Sequence, residues 1–141
     1  MGCIFCEIVA GRSPAFRVCE DEQTLAFLDL FPVATGHALV VPRAHSENLF
    51  EAAPEVLAAV IRTSKRVALA LRKELAPDGL AVIQLNGAAA GQTVFHYHMH
   101  LIPRRSGEPL QVHSRVRGDD QELDRVALRL RSALEDPGAG G

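Results

Sequence analysis

Apolar and polar positions change rhythm several times along this chain, and each change marks an element. Residues 16–20 and 24–29 alternate like two short strands, joined by the charged turn Glu20-Asp21-Glu22-Gln23. Residues 37–41, bounded by Gly36 and Pro42, form a third apolar run of strand length. From Pro54 to Leu75 the period lengthens. Leu57, Val60, Ile61, Val67, Ala68, Leu71 and Leu75 then share one helical face, with Pro54 suited to the first turn and Pro77-Asp78-Gly79 to the stop. Residues 80–85 and 94–102 predict a fourth and a fifth strand. The turn signal Asn86-Gly87 between them makes an antiparallel pair. A last amphipathic helix, about residues 120–134, carries Leu123, Val126, Leu130 and Leu134 on one side. Strands, a long helix, a strand pair and a terminal helix, in that order, predict an α+β fold: an antiparallel sheet with segregated helices.

The fifth strand holds the most informative residues, in the run Phe95-His96-Tyr97-His98-Met99-His100-Leu101-Ile102. A strand sends alternate side chains to one face, so His96, His98 and His100 line one side, about 6.5 to 7 Å apart, with Tyr97, Met99 and Leu101 on the other. Three buried rings would each need a partner. A row of imidazoles can attack, exchange protons, ligate metal or donate to phosphate oxygens. Two readings stand. All three bind one metal, or one is a nucleophile whose neighbours handle charge or metal. The preceding loop, residues 86–93, has Gly87 and Gly91, which let backbone N–H groups approach an anion closely. No Gly-Lys-Ser/Thr follows, so it is not a Walker loop. Loop and histidines together point to phosphate chemistry.

Size and charge narrow the class. The 141 residues fit one domain, expected over residues 1–135 and followed by a flexible tail at 136–141. Hydrophobic content of 48% and a net charge of −2 argue against a disordered chain or a broad nucleic-acid-binding surface. No apolar run is long enough to span a membrane and no signal peptide is evident, so a cytoplasmic protein without a membrane partner is expected. Met1-Gly2-Cys3 invites a thought of myristoylation, but Cys6 stands where that motif wants Ser or Thr. Three cysteines cannot pair completely, and Cys3-Ile4-Phe5-Cys6 reads as a metal or redox motif. Cys19 is expected to be a small apolar filler.

With Gly91-Gln92-Thr93-Val94 before His-x-His-x-His, the segment from Asn86 to Arg104 resembles the signature of the histidine triad (HIT) superfamily, and the chain agrees with it from Cys3 to about Arg104. That resemblance implies a five-stranded antiparallel sheet with one long helix and a C-terminal helix, usually in a homodimer. It implies hydrolysis or transfer at the α-phosphate of a purine nucleotide through a nucleotidyl-histidine. By position, His98 would be the nucleophile and His100 would hydrogen-bond the phosphate. Thr93, Gln92, Gly91 and Asn86 would lie near the phosphate and leaving group. Asp29 would bind ribose hydroxyls, and Ile4, Phe5, Ile8, Phe27 and Leu30 would enclose the base. His37 matches a family position beside the phosphates, with a structural role equally open.

The zinc-containing bacterial type, related to the Hint branch, resembles this chain further. Cys3, Cys6, His45 and His96 match its structural zinc ligands, a chemically sound closed set. His113 lies outside the match and is expected to be a solvated surface residue. Where many relatives carry Asn or Gln two residues before Gly87, this chain has Leu85, which implies either low turnover or an amide supplied by Gln84 or Asn86. The resemblance implies a nucleoside phosphoramidate or a dinucleoside polyphosphate as substrate. A nucleotide-binding regulator with vestigial turnover is the rival.

Overall fold

The computed structural model describes residues 2–135, and the expected tail at 136–141 lies outside them. Helix α1 (Ile4–Val9) precedes strands β1 (Arg17–Glu20), β2 (Thr24–Leu28) and β3 (Ala38–Pro42); helix α2 (Pro54–Leu75), strands β4 (Gly79–Ile83) and β5 (Met99–Arg104) and helix α3 (Asp120–Glu135) follow. The strands form one five-stranded sheet in the order β1-β2-β3-β5-β4, antiparallel at every step.

The middle of this sheet is covered on both faces, which is why β2 is buried along its whole length. Alternation divides its side chains between two cores. Ala26 and Leu28 join Val60, Val67 and Leu71 of α2 and Leu123, Val126 and Leu130 of α3 in the larger one. Leu25 and Phe27 turn the other way, to Phe5 and Ile8 of α1 and to Leu39 and Val41 of β3. Thr24 is also buried, and its hydroxyl is satisfied by that of Thr63 at 2.6 Å. Cys19 is half-buried against the larger core.

Three departures from the sequence reading shape the site. First, α1 was not anticipated. Its apolar Ile4, Phe5 and Ile8 have helical spacing, but only six residues carry the signal, and Cys3 Sγ caps it by accepting from the Cys6 N–H at 3.4 Å. Second, the fifth strand starts at Met99 rather than at residue 94. β3 ends in Pro42, which has no N–H to offer. The Pro42 carbonyl accepts instead from the His96 ring at 2.8 Å, while the Tyr97 N–H donates to the Ser46 carbonyl at 2.8 Å. Third, β4 and β5 do pair antiparallel, but a long loop with one 3₁₀ turn at Ala88–Ala90 replaces the tight hairpin. Gly87 and Gly91 flank that turn with φ of 93° and 101°, a conformation that strains other residues.

Alternation survives the early end of the ladder. Tyr97, Met99 and Leu101 pack in the larger core, leaving the three histidines on the α1 side. The entry to β3 depends on Gly36, whose φ is +88° and whose added Cβ would press into Leu75 Cδ1, with Leu71 Cδ2 at 3.1 Å. Gly36→Ala is therefore expected to destabilise the fold by about 2 to 3 kcal/mol, combining left-handed strain with overpacking. Urea unfolding measures this, and an unchanged midpoint would contradict it.

Candidate active site and metal centre

Two groups of side chains meet at the row of histidines. At its first ring, His96 Nδ1 lies 3.4 Å from Cys3 Sγ, 3.5 Å from Cys6 Sγ and 3.2 Å from His45 Nδ1, while Cys6 Sγ lies 3.3 Å from His45 Nδ1. Zinc bonds of about 2.3 Å to sulfur and 2.0–2.1 Å to nitrogen give tetrahedral edges of about 3.3 to 3.8 Å. The observed separations are close to these edges. The His96 ring is oriented for such a role because its Nε2–H donates to the Pro42 carbonyl, leaving the Nδ1 lone pair toward the sulfurs. Burial lowers the proton affinity of His96, which keeps that lone pair free. The donor set fits zinc.

The second ring has the opposite tautomer. His98 Nδ1–H donates to the His96 carbonyl at 2.7 Å, so the lone pair resides on Nε2, which has no hydrogen-bond partner among the described residues. Burial lowers the His98 proton affinity, with the carbonyl opposing and the charge of His113 adding. A neutral imidazole with a free, oriented Nε2 can act as a nucleophile.

The third ring is set from further away. The Val33 N–H donates to His37 Nδ1 at 3.2 Å, which puts the His37 proton on Nε2. That N–H points to His100 Nδ1 at 3.0 Å, with Asp29 Oδ2 at 3.5 Å. His100 must then carry its own proton on Nε2. This is the one buried side-chain polar atom without a partner among the described residues. A buried donor left unpaired is costly, and an anion in the cavity would satisfy it. Burial, reinforced by neighbouring imidazoles, pushes His37 down to about 4 and His100 down to about 3.

A cavity of about 540 Å³ opens beside these rings. Ile4, Phe5, Ile8, Phe27, Asp29, Leu30, Thr93, His98 and His100 line it, so nine of the residues singled out from the sequence share one wall. Phe5 ties the two groups together. Its ring packs edge-on against Phe27 at 5.4 Å, His98 at 5.0 Å and His96 at 6.0 Å between centroids. The His98 and His100 rings are 5.0 Å apart, closer than ideal strand spacing. Asp29 is half-buried beside His37; burial raises its pKa, and the Phe31 N–H, donating at 2.9 Å, and His113 partly offset this.

Three loop residues have other engagements. The Asn86 amide exchanges hydrogen bonds with Gln84 at 2.8 and 2.9 Å and accepts from the Leu49 N–H at 2.8 Å, so it braces the loop rather than facing a ligand. The Gln92 side chain is buried, accepts from the Gly87 N–H at 2.8 Å and donates to the Glu47 and Val94 carbonyls at 2.6 and 3.0 Å. It too is spent on loop shape. Gly91 presents its carbonyl to His113 Nε2 at 2.6 Å. Leu85 packs toward Gly91, where an added Cβ would lie 3.3 Å from Leu85 Cδ1. His113 is exposed, as expected of a surface residue, but its ring also borders the cavity and lies 6.0 Å from that of His100. No periodicity marks this position, because a segment without helix or strand delivers it.

Residues 10–107 match the family model described as the HIT domain. The chain belongs to the HIT family. It is similar to Protein hit of Bacillus subtilis (strain 168), 49% identical over 102 residues covering 72% of this chain and 70% of that one. Adenylylsulfatase HINT3 of Arabidopsis thaliana is 36% identical over 132 residues, 94% of this chain and 67% of that protein. The crystal structure of a Zn-bound histidine triad family protein from Mycobacterium smegmatis aligns with a TM-score of 0.87 at 39% identity, covering 100% of this chain and 99% of that one.

The lowered values of His37 and His100 fix a sign for acid sensitivity. In the unfolded chain both rings bind a proton near pH 6.5, but in the folded chain only near 4 and near 3. Between these limits the unfolded state holds more protons, so stability is full above about pH 6.5 and falls as pH drops. Two such rings give a slope approaching about 2.7 kcal/mol per pH unit near pH 5. Chemical denaturation between pH 7 and 5 reads this slope, and His37→Gln should reduce it. A flat profile in the unmodified protein would contradict the assignment.

Proposed function

We propose that this HIT protein is a nucleotide hydrolase or nucleotidyl transferase acting at an α-phosphate through His98. The observation that carries the reading is the tautomer of His98, whose Nδ1–H is held by the His96 carbonyl at 2.7 Å while Nε2 remains free in the wall of the cavity. Nε2 attacks phosphorus, forming an N–P bond as the bond to the leaving group breaks and its electron pair departs with that group. The intermediate is a nucleotidyl-imidazolium, because Nδ1 keeps its proton, and the carbonyl beside it stabilises the positive charge. Water then attacks phosphorus and releases a proton to solvent, and the N–P electron pair returns to Nε2. His100 Nε2–H would donate to a phosphate oxygen, and Thr93 would contact the phosphate or leaving group from the loop. Asp29 would accept from ribose hydroxyls, with Ile4, Phe5, Ile8, Phe27 and Leu30 around the base. A nucleoside phosphoramidate and a dinucleoside polyphosphate both satisfy this chemistry. The adenylylsulfatase name carried by a relative supports a hydrolytic role.

Cys3, Cys6, His45 and His96 would hold a structural zinc ion, which supplies a crosslink between α1 and the sheet. The residues it pins include Ile4 and Phe5 of the cavity wall, so the ion would steady the base pocket without touching substrate.

Two outcomes are expected. His98→Ala should lower kcat by about 10³ or more while adenosine monophosphate still binds, because the nucleophile acts in the transition state and the pocket acts in both states. Intact-protein mass spectrometry after brief exposure to substrate should find one nucleotidyl adduct, absent from the variant. Binding without adduct or turnover would favour the regulatory rival. Elemental analysis should find about one zinc per chain in protein purified without added metal. Undiminished zinc in Cys3→Ser would remove the assigned ligand set.

A further inference from the structure

We propose that His113 completes a subsite for an anionic leaving group beside the row of histidines. The protein would then favour nucleotides whose α-phosphate is bonded to a further phosphate or similar oxyanion over those that release a neutral amine. The proposal rests on the nucleotidyl-transfer reading of the same cavity and adds a residue outside the matched domain, which ends at residue 107.

Residues 105–119, between β5 and α3, form neither helix nor strand. Two hydrogen bonds nevertheless tie this segment across the cavity. His113 Nε2–H donates to the Gly91 carbonyl at 2.6 Å at the loop end, and the Gly118 N–H donates to the Leu30 carbonyl at 2.8 Å at the apolar end. The His113 ring therefore stands next to His100, with centroids 6.0 Å apart and planes at 80°. Arg115, two residues on, lines the same cavity.

The groups that line the cavity give the subsite its sign. With Nε2–H committed to Gly91, only Nδ1 remains to meet a ligand. A neutral ring would turn a lone pair toward any oxyanion there, which is repulsive. A ring that carries an N–H on both nitrogens would instead turn a charge-assisted donor toward it. Asp29, the one carboxylate among the described residues lining the cavity, is already engaged, with Oδ2 3.5 Å from His37 Nε2 and Oδ1 accepting from the Phe31 N–H. His113 and Arg115 stand on one segment of the cavity wall. A nucleoside would fit the apolar wall and Asp29, the α-phosphate would sit at His98 and His100, and a second anionic group would meet His113 and Arg115. A neutral amine gains nothing from those charges.

Calorimetric titration of the full chain with adenosine monophosphate and adenosine diphosphate tests this without relying on turnover. The unmodified protein should bind the diphosphate about tenfold more tightly than the monophosphate, the value of one charge-assisted hydrogen bond. His113→Ala and His113→Gln should both lose that preference while changing monophosphate affinity by less than about threefold. The Gln variant separates charge from tethering, since its amide can still donate to the Gly91 carbonyl but cannot become a cation. Diphosphate preference retained in His113→Gln, equal weakening of both nucleotides, or no preference in the unmodified protein would each overturn the subsite. An unmodified protein that binds neither nucleotide would overturn the nucleotide reading itself, a failure visible before any variant is made.

Discussion

A buried imidazole must find partners for its nitrogens, and the whole site follows from where the main chain supplies them. The Pro42 carbonyl takes the proton of His96, the His96 carbonyl takes that of His98, and the Val33 N–H occupies the lone pair of His37, which in turn orders His100. In a neutral ring the state of one nitrogen dictates the other. Three histidines in one repeating pattern therefore present three different faces. His96 turns a lone pair to the sulfurs, His98 keeps a lone pair for attack, and His100 offers an N–H. Burial lowers the proton affinity of all three, which keeps them neutral and their roles distinct near pH 7.

These partners exist because the sheet stops where it does. Had the β3–β5 ladder continued past Met99, the Pro42 carbonyl would face a neighbouring strand. Proline ends the pairing, and the freed carbonyl becomes the orienting group of a metal-ligating ring. On the other side of the row, α1 brings Cys3 and Cys6 to His96 and, between them, sets Phe5 against His98. The metal centre and the cavity thus share one short helix. A helix of six residues is marginal in isolation, so its place depends on the packing of Phe5 and Ile8 and on the crosslink that the proposed ion would add.

Much of this was legible in the residues. The long helix over Pro54–Leu75 is amphipathic throughout, and its proline and glycine punctuation marks both ends. Period-two alternation placed the three histidines opposite Tyr97, Met99 and Leu101 although the hydrogen-bonded strand begins only at Met99. Alternation reports side-chain direction and not pairing, so it missed the effect of Pro42. The family resemblance puts Asn86 and Gln92 near the phosphate. Their amides are consumed by Gln84, Leu49, Gly87, Glu47 and Val94, and such competition for internal hydrogen bonds is invisible without coordinates. His113 was lost for the complementary reason. It sits in an irregular segment held across the cavity by its hydrogen bonds to Gly91 and Leu30, and neither leaves a periodic trace.

The central claim is the assignment of tautomers, and nitrogen NMR of protein labelled with ¹⁵N-histidine observes it directly. At pH 7 the proton should be found on Nδ1 of His98 and on Nε2 of His96, His37 and His100, each resonance identified by its single substitution. A proton on Nε2 of His98 would contradict the claim, since that nitrogen would then have no lone pair with which to attack.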